Sequence, residues 1–167
     1  MENLIIRKAD KSEIEIALNL LKNAALWLNE RGIDYWQNWI CPTDLFIDWI
    51  KEGFEFQQFY FVQNDLGVIG MFRLQWSDEK FWGVQDIEAG YIHSFTIDSN
   101  YHGLGLGRFI LSKIEDICKS KDKKYLRLDC GLEVTRLCKY YEDYGFVSVR
   151  DISVHIYQLR LYEKELN

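Results

Sequence analysis

The sequence predicts an α/β layered domain in which a mixed sheet carries helices on both faces. Segments with the alternation of strands and segments with helical periodicity follow one another in the order βααβββαβαββ. No repeat, low-complexity stretch or linker interrupts this order, and Pro42 is the only proline. The length of 167 residues and the 48% hydrophobic content suit one domain, 1–167, with a substantial core.

A strand and a helix open the chain. The run "LIIRKA" predicts the first strand, and Asp10 or Ser12 can cap the helix that follows. The apolar residues of this helix recur at helical spacing: Ile14, Ala17, Leu18, Leu21, Ala25 and Leu28. Gly32 is expected to end it.

A short helix and a hairpin come next. Pro42, at a first turn, introduces a helix that runs to about Glu52. The β-rich runs "FEFQQFYFVQ" and "VIGMFRLQW" flank "NDLG", which predicts a hairpin with Asn64, Asp65 and Gly67 in its turn.

The second half of the chain alternates strands and helices. After the loop "SDEKFWGVQDIEAG", the run "YIHSFTID" predicts a strand with one shared face: Tyr91, His93, Phe95 and Ile97. A helix then places Leu106, Ile110, Ile114 and Ile117 on one side, and "YLRLDC" predicts the next strand. A helix over 133–144 is expected to stop at Gly145, before two final strands near "FVSVRD" and "VHIYQLRLYE".

The bulk composition excludes several classes of protein. A net charge of −6 argues against a dedicated nucleic-acid binder. No apolar run approaches the roughly 20 residues that span a bilayer, and "MENLIIRKAD" does not resemble a signal peptide. The four cysteines show no C-x-x-C pairing and no nearby histidine cluster. We therefore expect free thiols, no metal site and a cytoplasmic location.

The stretch "YHGLGLGRF" places three of the 11 glycines at alternate positions between a predicted strand and a predicted helix. The first N–H groups of a helix have no intrahelical partner, and the helix dipole makes that end positive. Glycines let a phosphate approach the backbone without a Cβ in the way. The stretch therefore predicts an anion site.

Three other interpretations of the glycines compete. A Walker A loop needs Lys and then Ser or Thr after its last glycine, but Arg108 and Phe109 follow Gly107. A dinucleotide fold has its acid in Asp129, yet the glycines are G-x-G-x-G and too few residues follow for the rest of a doubly wound sheet. A tight turn whose glycines serve packing alone stays open.

The segment 91–146 resembles the GNAT superfamily of acyl-CoA N-acyltransferases, whose central motif is a strand, then Q/R-x-x-G-x-G/A, then a helix. "HGLGLG" matches it at Gly105 and Gly107, with His102 where Gln or Arg is usual. Downstream, "RLCKYYEDYGFV" is similar to the family's later segment, although Val134 replaces a common asparagine. The opening "IIRKAD…EIEIALNLL" is similar to the family's first strand and helix.

The resemblance implies a mostly antiparallel sheet of about seven strands and a site for acetyl-CoA as cosubstrate. The strand at Phe95, Thr96 and Ile97 would pair with pantetheine amides. The loop would hold the pyrophosphate of CoA, with its residues His102, Gly103, Leu104, Gly105, Leu106, Gly107 and Arg108.

The resemblance also implies an N-acetyltransferase in which a primary amine attacks directly in a ternary complex. Tyr141 occupies the family's general-acid position and would protonate the leaving thiolate. His93, an imidazole that titrates near neutrality, is the candidate base, and Glu88 is its rival.

The acceptor is expected to be a small-molecule or peptide amine. Aromatic residues of the two irregular segments would wall its pocket, namely Tyr35, Trp36, Trp39 and Trp82, with Trp76 nearby. Asp34, Asp86 or Glu88 would attract the cation. The expected assembly is a monomer or homodimer. A non-catalytic domain that senses acyl-CoA is the alternative in a different functional class.

Overall fold

The computed structural model describes residues 4–154 and 157–167. Within them, the strands are β1 (Ile5–Lys8), β2 (Phe59–Asn64), β3 (Gly67–Gln75), β4 (Ala89–Ile97), β5 (Tyr125–Gly131), β6 (Val147–Val154) and β7 (Tyr157–Glu165). The helices are α1 (Ile14–Asn29), α2 (Asp44–Glu55), α3 (Glu79–Trp82), α4 (Leu106–Lys119) and α5 (Thr135–Tyr144). His155 and Ile156, inside the last predicted strand, lie outside the described residues.

The strands form a seven-stranded sheet in the order β1-β2-β3-β4-β5-β7-β6. The pairs β1/β2, β2/β3, β5/β7 and β6/β7 are antiparallel, whereas β4 and β5 are parallel. The prediction of a mixed α/β fold with a mostly antiparallel sheet of about seven strands is therefore confirmed. No helix among the described residues is both long and apolar enough to cross a membrane.

The chain divides into two compact units, and the divisions fall at the end of β3, before Gln75, inside β4, between His93 and Ser94, and inside α4, between Gly107 and Arg108. The first unit comprises residues up to Leu74 together with Ser94–Gly107. Its core is aromatic: the ring of Phe54 stacks on Phe59 at 4.8 Å between centroids, and both side chains are fully buried. Such rings contribute most of the apolar area that a core removes from water.

The second unit comprises residues Gln75–His93 and those from Arg108 onward. Trp82, Ala89, Tyr91 and Leu161 form a buried cluster in it. The guanidinium of Arg127 lies 4.4 Å from the Trp82 ring centroid, donates to Tyr91 Oη at 3.0 Å and pairs with Glu163. These contacts compensate the burial of a charged side chain that is only 3% exposed.

The structure corrects the start of the predicted hairpin. Phe54 and Glu55 end α2 rather than begin a strand, because Ile50, Gly53 and Phe54 continue the buried face of that helix at helical spacing. Gln57, with φ of 53°, then redirects the chain before β2. The turn between β2 and β3 is where the sequence predicts it, and Leu66 N donates to Asn64 Oδ1.

Two shorter features also depart from the predicted pattern. The loop before β4 contains the one-turn helix α3, which is too short to show a helical period. Inside β4, Ser94 has φ of 51°, a left-handed conformation typical of a β-bulge. The residues predicted to share one face are therefore divided into two pairs, Tyr91 with His93 before the bulge and Phe95 with Ile97 after it.

Candidate functional site

The glycine loop lies open at the start of α4. Gly103 and Gly105 have φ of 78° and 76°, and a Cβ added to either would meet no atom within 4 Å. Within the described residues, no backbone carbonyl accepts a hydrogen bond from the N–H groups of Gly103, Leu104 or Gly105. The first turn of α4 supplies further N–H groups without intrahelical acceptors. The loop is therefore a backbone cradle that an anion can enter.

His102 is turned toward the end of β4. Its Nε2 lies 2.9 Å from the carbonyl oxygen of Ile97, and the Trp27 ring meets it edge-on at 4.9 Å between centroids. Nearby, Asn64 donates to Tyr101 Oη at 3.2 Å. In this position the imidazole fixes the strand to the loop.

The end of β4 is closely packed on β3. A Cβ added to Gly70 would lie 2.8 Å from the carbonyl oxygen of Thr96, so only glycine permits this approach. Thr96 is buried, and its neighbours Phe95 and Ile97 are half-buried. The pairing of this backbone with pantetheine stays a prediction.

Arg108 is directed to α5. Its guanidinium donates to the carbonyl oxygen of Asp143 at 3.2 Å and lies 5.9 and 5.7 Å from the ring centroids of Tyr140 and Tyr144. Its part in holding the pyrophosphate of CoA stays a prediction.

His93 lies between two carboxylates. Its Nε2 is 2.9 Å from Asp78 Oδ2, and its Nδ1 is 3.3 Å from Asp129 Oδ1. The parallel register that pairs Ile92 with Leu128 places the next residues, His93 and Asp129, side by side. All three side chains are largely buried. Burial raises the pKa of Asp129, with the nearby Asp78 charge adding to the effect and His93 opposing it.

Glu88 has a different partner. Its exposed carboxylate pairs with the ammonium of Lys123, and this hydrogen bond lowers the pKa of Glu88. A carboxylate with a lowered pKa is a weaker base.

Asp78 lines a cleft of about 320 Å³, a volume that includes space open to solvent. The other lining residues include Trp76, Val84, Gln85, Ile87 and Tyr91. Trp76, Val84 and Ile87 are exposed apolar side chains, whereas Asp78 is only 5% exposed. Exposed Ser77, Glu79 and Gln85 also line it, so the cleft has a rim of mixed polarity and a buried carboxylate.

Tyr141 lies on α5 within an aromatic cluster. Its ring meets Phe146 edge-on at 5.8 Å and Tyr162 at 6.3 Å between centroids, and only 6% of the residue is exposed. Tyr162 donates to Glu142 at 2.8 Å. The packing accounts for the ring of Tyr141, and the role of its hydroxyl stays a prediction.

The aromatic residues predicted to bind the acceptor have different environments. The rings of Tyr35 and Trp36 stack at 5.7 Å between centroids, and Trp36 has φ of 63°. Trp39 is buried in the core of the first unit, and Trp82 is buried in that of the second. Their contribution to an acceptor pocket stays a prediction.

Sequence reasoning did not identify Asp78 as a site residue. It lies in an irregular loop, and no periodicity connects it with His93, 15 residues away. The sequence identifies Asp129 only as an acidic residue at the end of a predicted strand. Among the described residues, no group of three or more His, Cys, Asp or Glu side chains is arranged to hold a metal ion.

Comparisons with a family pattern and with a related protein agree on the family. The Acetyltransferase (GNAT) family pattern matches residues 19–146. The chain is 26% identical over 140 residues to YesJ of Bacillus subtilis, described as an uncharacterised N-acetyltransferase, and the match covers 80% of this chain and 76% of that protein.

Solved structures share the fold. A GNAT-family acetyltransferase of Streptococcus agalactiae superposes with a TM-score of 0.80 at 15% identity, covering 99% of this chain and 97% of that one. The yncA protein of Salmonella typhimurium, solved with its cofactor acetyl-CoA, gives 0.68 at 18% identity, with 99% and 95% covered. With the family pattern extending over most of its length, this chain belongs to the GNAT acetyltransferase family.

Proposed function

We propose that the protein is an N-acetyltransferase that moves the acetyl group of acetyl-CoA to a primary amine of a small molecule or peptide. The observation that carries the proposal is the open, left-handed glycine loop at the start of α4 in a chain of the GNAT family. The acetyl-CoA bound to the Salmonella typhimurium neighbour supports the choice of donor.

The loop would hold the pyrophosphate of CoA on the N–H groups of Gly103 to Arg108. The absence of any atom within 4 Å of an added Cβ at Gly103 or Gly105 gives the phosphates room to reach the backbone. The backbone at Phe95 to Ile97 would pair with the pantetheine amides. When bound, acetyl-CoA supplies the activated acyl group.

The proposed transfer is direct. The amine loses a proton, its nitrogen forms the C–N bond, and the C–S bond breaks to release the CoA thiolate. Tyr141 would give its phenolic proton to that thiolate. The proton from the amine would go to the group that contains His93, because the pairing of Glu88 with Lys123 makes that carboxylate a weaker base.

The remaining features are proposed on the same basis. Residues 1–167 would act as one domain in the cytoplasm, as a monomer or homodimer. Tyr35, Trp36, Trp39 and Trp82 are proposed to bind the acceptor.

The test is release of free thiol from acetyl-CoA across a panel of amines, polyamines, aminoglycosides and peptides. With the best acceptor, Tyr141→Phe should lower kcat by about two orders of magnitude, since general acid catalysis contributes roughly 10²–10⁴-fold. Affinity for acetyl-CoA should stay within about threefold, because the hydroxyl acts in the transition state.

Tyr140→Phe is the matched control, since it removes a neighbouring hydroxyl and keeps the ring that faces Arg108. It should retain kcat within about twofold, because the hydroxyl of the half-buried Tyr140 has no proposed part in the proton transfers. If Tyr141→Phe keeps the full kcat, the phenol takes no part in the mechanism. If the parent protein binds acetyl-CoA but turns over no amine, the proposed enzymatic function is wrong and the protein is a sensor of acyl-CoA.

A further inference from the structure

The cleft beside α3 combines two properties that point to one ligand class. Its rim exposes the apolar side chains of Trp76, Val84 and Ile87, and its one buried acid, Asp78, is 5% exposed. Exposed polar residues also line the rim, namely Ser77, Glu79 and Gln85. No Lys, Arg or His among the described residues lines the cleft. Exposed apolar side chains around a buried carboxylate fit a cation with an apolar body.

His93 reaches the cleft only through Asp78. Both ring nitrogens of His93 are already occupied, Nε2 by Asp78 at 2.9 Å and Nδ1 by Asp129 at 3.3 Å. The Phe81 ring covers the imidazole at 5.1 Å between centroids. An amine in the cleft would therefore meet a carboxylate oxygen of Asp78, with the imidazole behind it.

The number of protons held by Asp78, His93 and Asp129, which we call the array, determines its net charge. A neutral imidazole has one N–H donor and one acceptor nitrogen, and an ionised carboxylate only accepts. Contacts at both nitrogens therefore require one extra proton, held either by the imidazole or by a carboxyl group. With Asp78 ionised, Nε2–H donating to it and Asp129 protonated toward Nδ1, the array carries one negative charge. Two cations contact residues that line the cleft, and both are paired. Arg127, which donates to Tyr91, pairs with Glu163. Lys123, 5.7 Å from the Trp76 ring centroid, pairs with Glu88.

We infer that Asp78 is the catalytic residue that binds the acceptor ammonium in this cleft and takes its proton, with His93 and Asp129 as positioning residues. The inference rests on the proposed acetyl transfer and names its acceptor class: a primary amine with an apolar or aromatic body. The N–H bond of the ammonium breaks, an O–H bond forms on Asp78, and the array becomes neutral. The free amine then attacks the acyl carbon, the C–N bond forms and the C–S bond breaks. The second proton that the nitrogen loses as it becomes an amide replaces the one that Tyr141 gives to the departing thiolate.

Binding tests the site without turnover. The probe is 2-phenylethylamine, measured by calorimetry, and its uncharged analogue 2-phenylethanol should bind the parent at least tenfold more weakly. Asp78→Asn should raise the Kd of the amine at least tenfold. Asp116→Asn, which removes the same charge from an exposed position on α4, should leave it within twofold.

Turnover of 2-phenylethylamine tests the proton path. Asp78→Asn should lower kcat/KM at least a hundredfold. Asp129→Asn should keep it within threefold, because the amide can donate to Nδ1 as a protonated carboxyl does, whereas Asp129→Leu should lose at least tenfold and shift the acid limb of the pH profile. In NMR spectra of the parent, adding the amine should also shift the ring resonances of His93. These resonances are assigned by their absence from the spectrum of His93→Gln.

Each outcome separates the two proposals. Turnover of other amines, together with unchanged amine binding by a folded Asp78→Asn, would overturn the inference and leave the acetyltransferase intact. If the protein binds the amine through Asp78 but turns over no amine, the proposal of acetyltransferase activity would be contradicted. The proposal of an ammonium-binding site at Asp78 would stand. Inactive Asp129→Asn with active Asp78→Asn would overturn the assignment of the proton to Asp78. If Asp78→Asn does not fold, equal binding of amine and alcohol by the parent overturns the site.

Discussion

At the scale of single residues, the glycine loop offers a test with a close internal control. Gly105 and Gly32 both have left-handed backbones, with φ of 76° and 68°, and an added Cβ meets nothing within 4 Å at either position. Replacement by alanine therefore introduces the same backbone strain, of order 1 kcal/mol, at both sites. Only Gly105 lies in the proposed phosphate cradle.

Gly105→Ala should raise the Kd for acetyl-CoA at least tenfold, equivalent to about 1.4 kcal/mol, since the methyl group occupies the approach to the backbone. Gly32→Ala should leave it within twofold. Calorimetric titration of both variants checks the expectation. Equal losses in the two would mean that strain, and not access to the loop, controls affinity.

At the scale of elements, the 3-10 turn Lys11–Glu13, which leads into α1, depends on one carboxylate. Glu13 accepts from Arg7 at 2.8 and 2.7 Å and from the backbone N–H of Asp10 at 2.8 Å, which closes a capping box with Asp10. Glu13→Gln should lower Tm by roughly 2–4 °C, because losing a cap and a paired carboxylate costs about 1 kcal/mol. Glu15→Gln, an exposed change in the first turn of α1, should alter Tm by less than half as much.

The same carboxylate predicts a pH dependence with a definite sign. The hydrogen bond from Arg7 lowers the pKa of Glu13 from its ordinary value of 4.5. A lowered folded-state pKa contributes stability that is complete above the unfolded value and is lost as the pH falls through the folded one. The Tm difference between parent and Glu13→Gln should therefore be constant from pH 6 to 8 and shrink below about pH 4.5. A difference that grew in acid would contradict this role.

The elements also show where sequence reasoning reached its limit. The order of long elements was predictable because apolar residues such as Leu21 and Ile110 recur with a clear period. The prediction of a strand at 54–58 is wrong because aromatic and polar residues alternate there as they do in a strand. In the structure, Phe54 instead continues the buried face of α2. The Asp78–His93–Asp129 array was not predictable, because it depends on β4 lying beside β5, a neighbour relation that no local pattern encodes.

At the scale of the whole molecule, the two compact units share three elements. The divisions cut β3 before Gln75, β4 between His93 and Ser94, and α4 between Gly107 and Arg108. Unfolding either unit alone would break two strands and a helix partway along their length. Because partial elements lose the cooperativity that stabilises them, we expect the chain to unfold as one domain.

Differential scanning calorimetry should therefore give one transition, with equal calorimetric and van't Hoff enthalpies. Acetyl-CoA at a hundred times its Kd should stabilise the native state by about 2.7 kcal/mol, since a ligand that binds only the folded chain shifts unfolding by mass action. For a chain of this size the whole transition should move up by roughly 5–11 °C. Two resolved transitions would contradict the single-domain proposal. A ligand that moved only one of them would show that the CoA loop is stabilised without the remainder of the chain. In either case a tenfold higher Kd in Gly105→Ala should remove about half of the shift at the same ligand concentration, because about 1.4 kcal/mol of ligand stabilisation would remain.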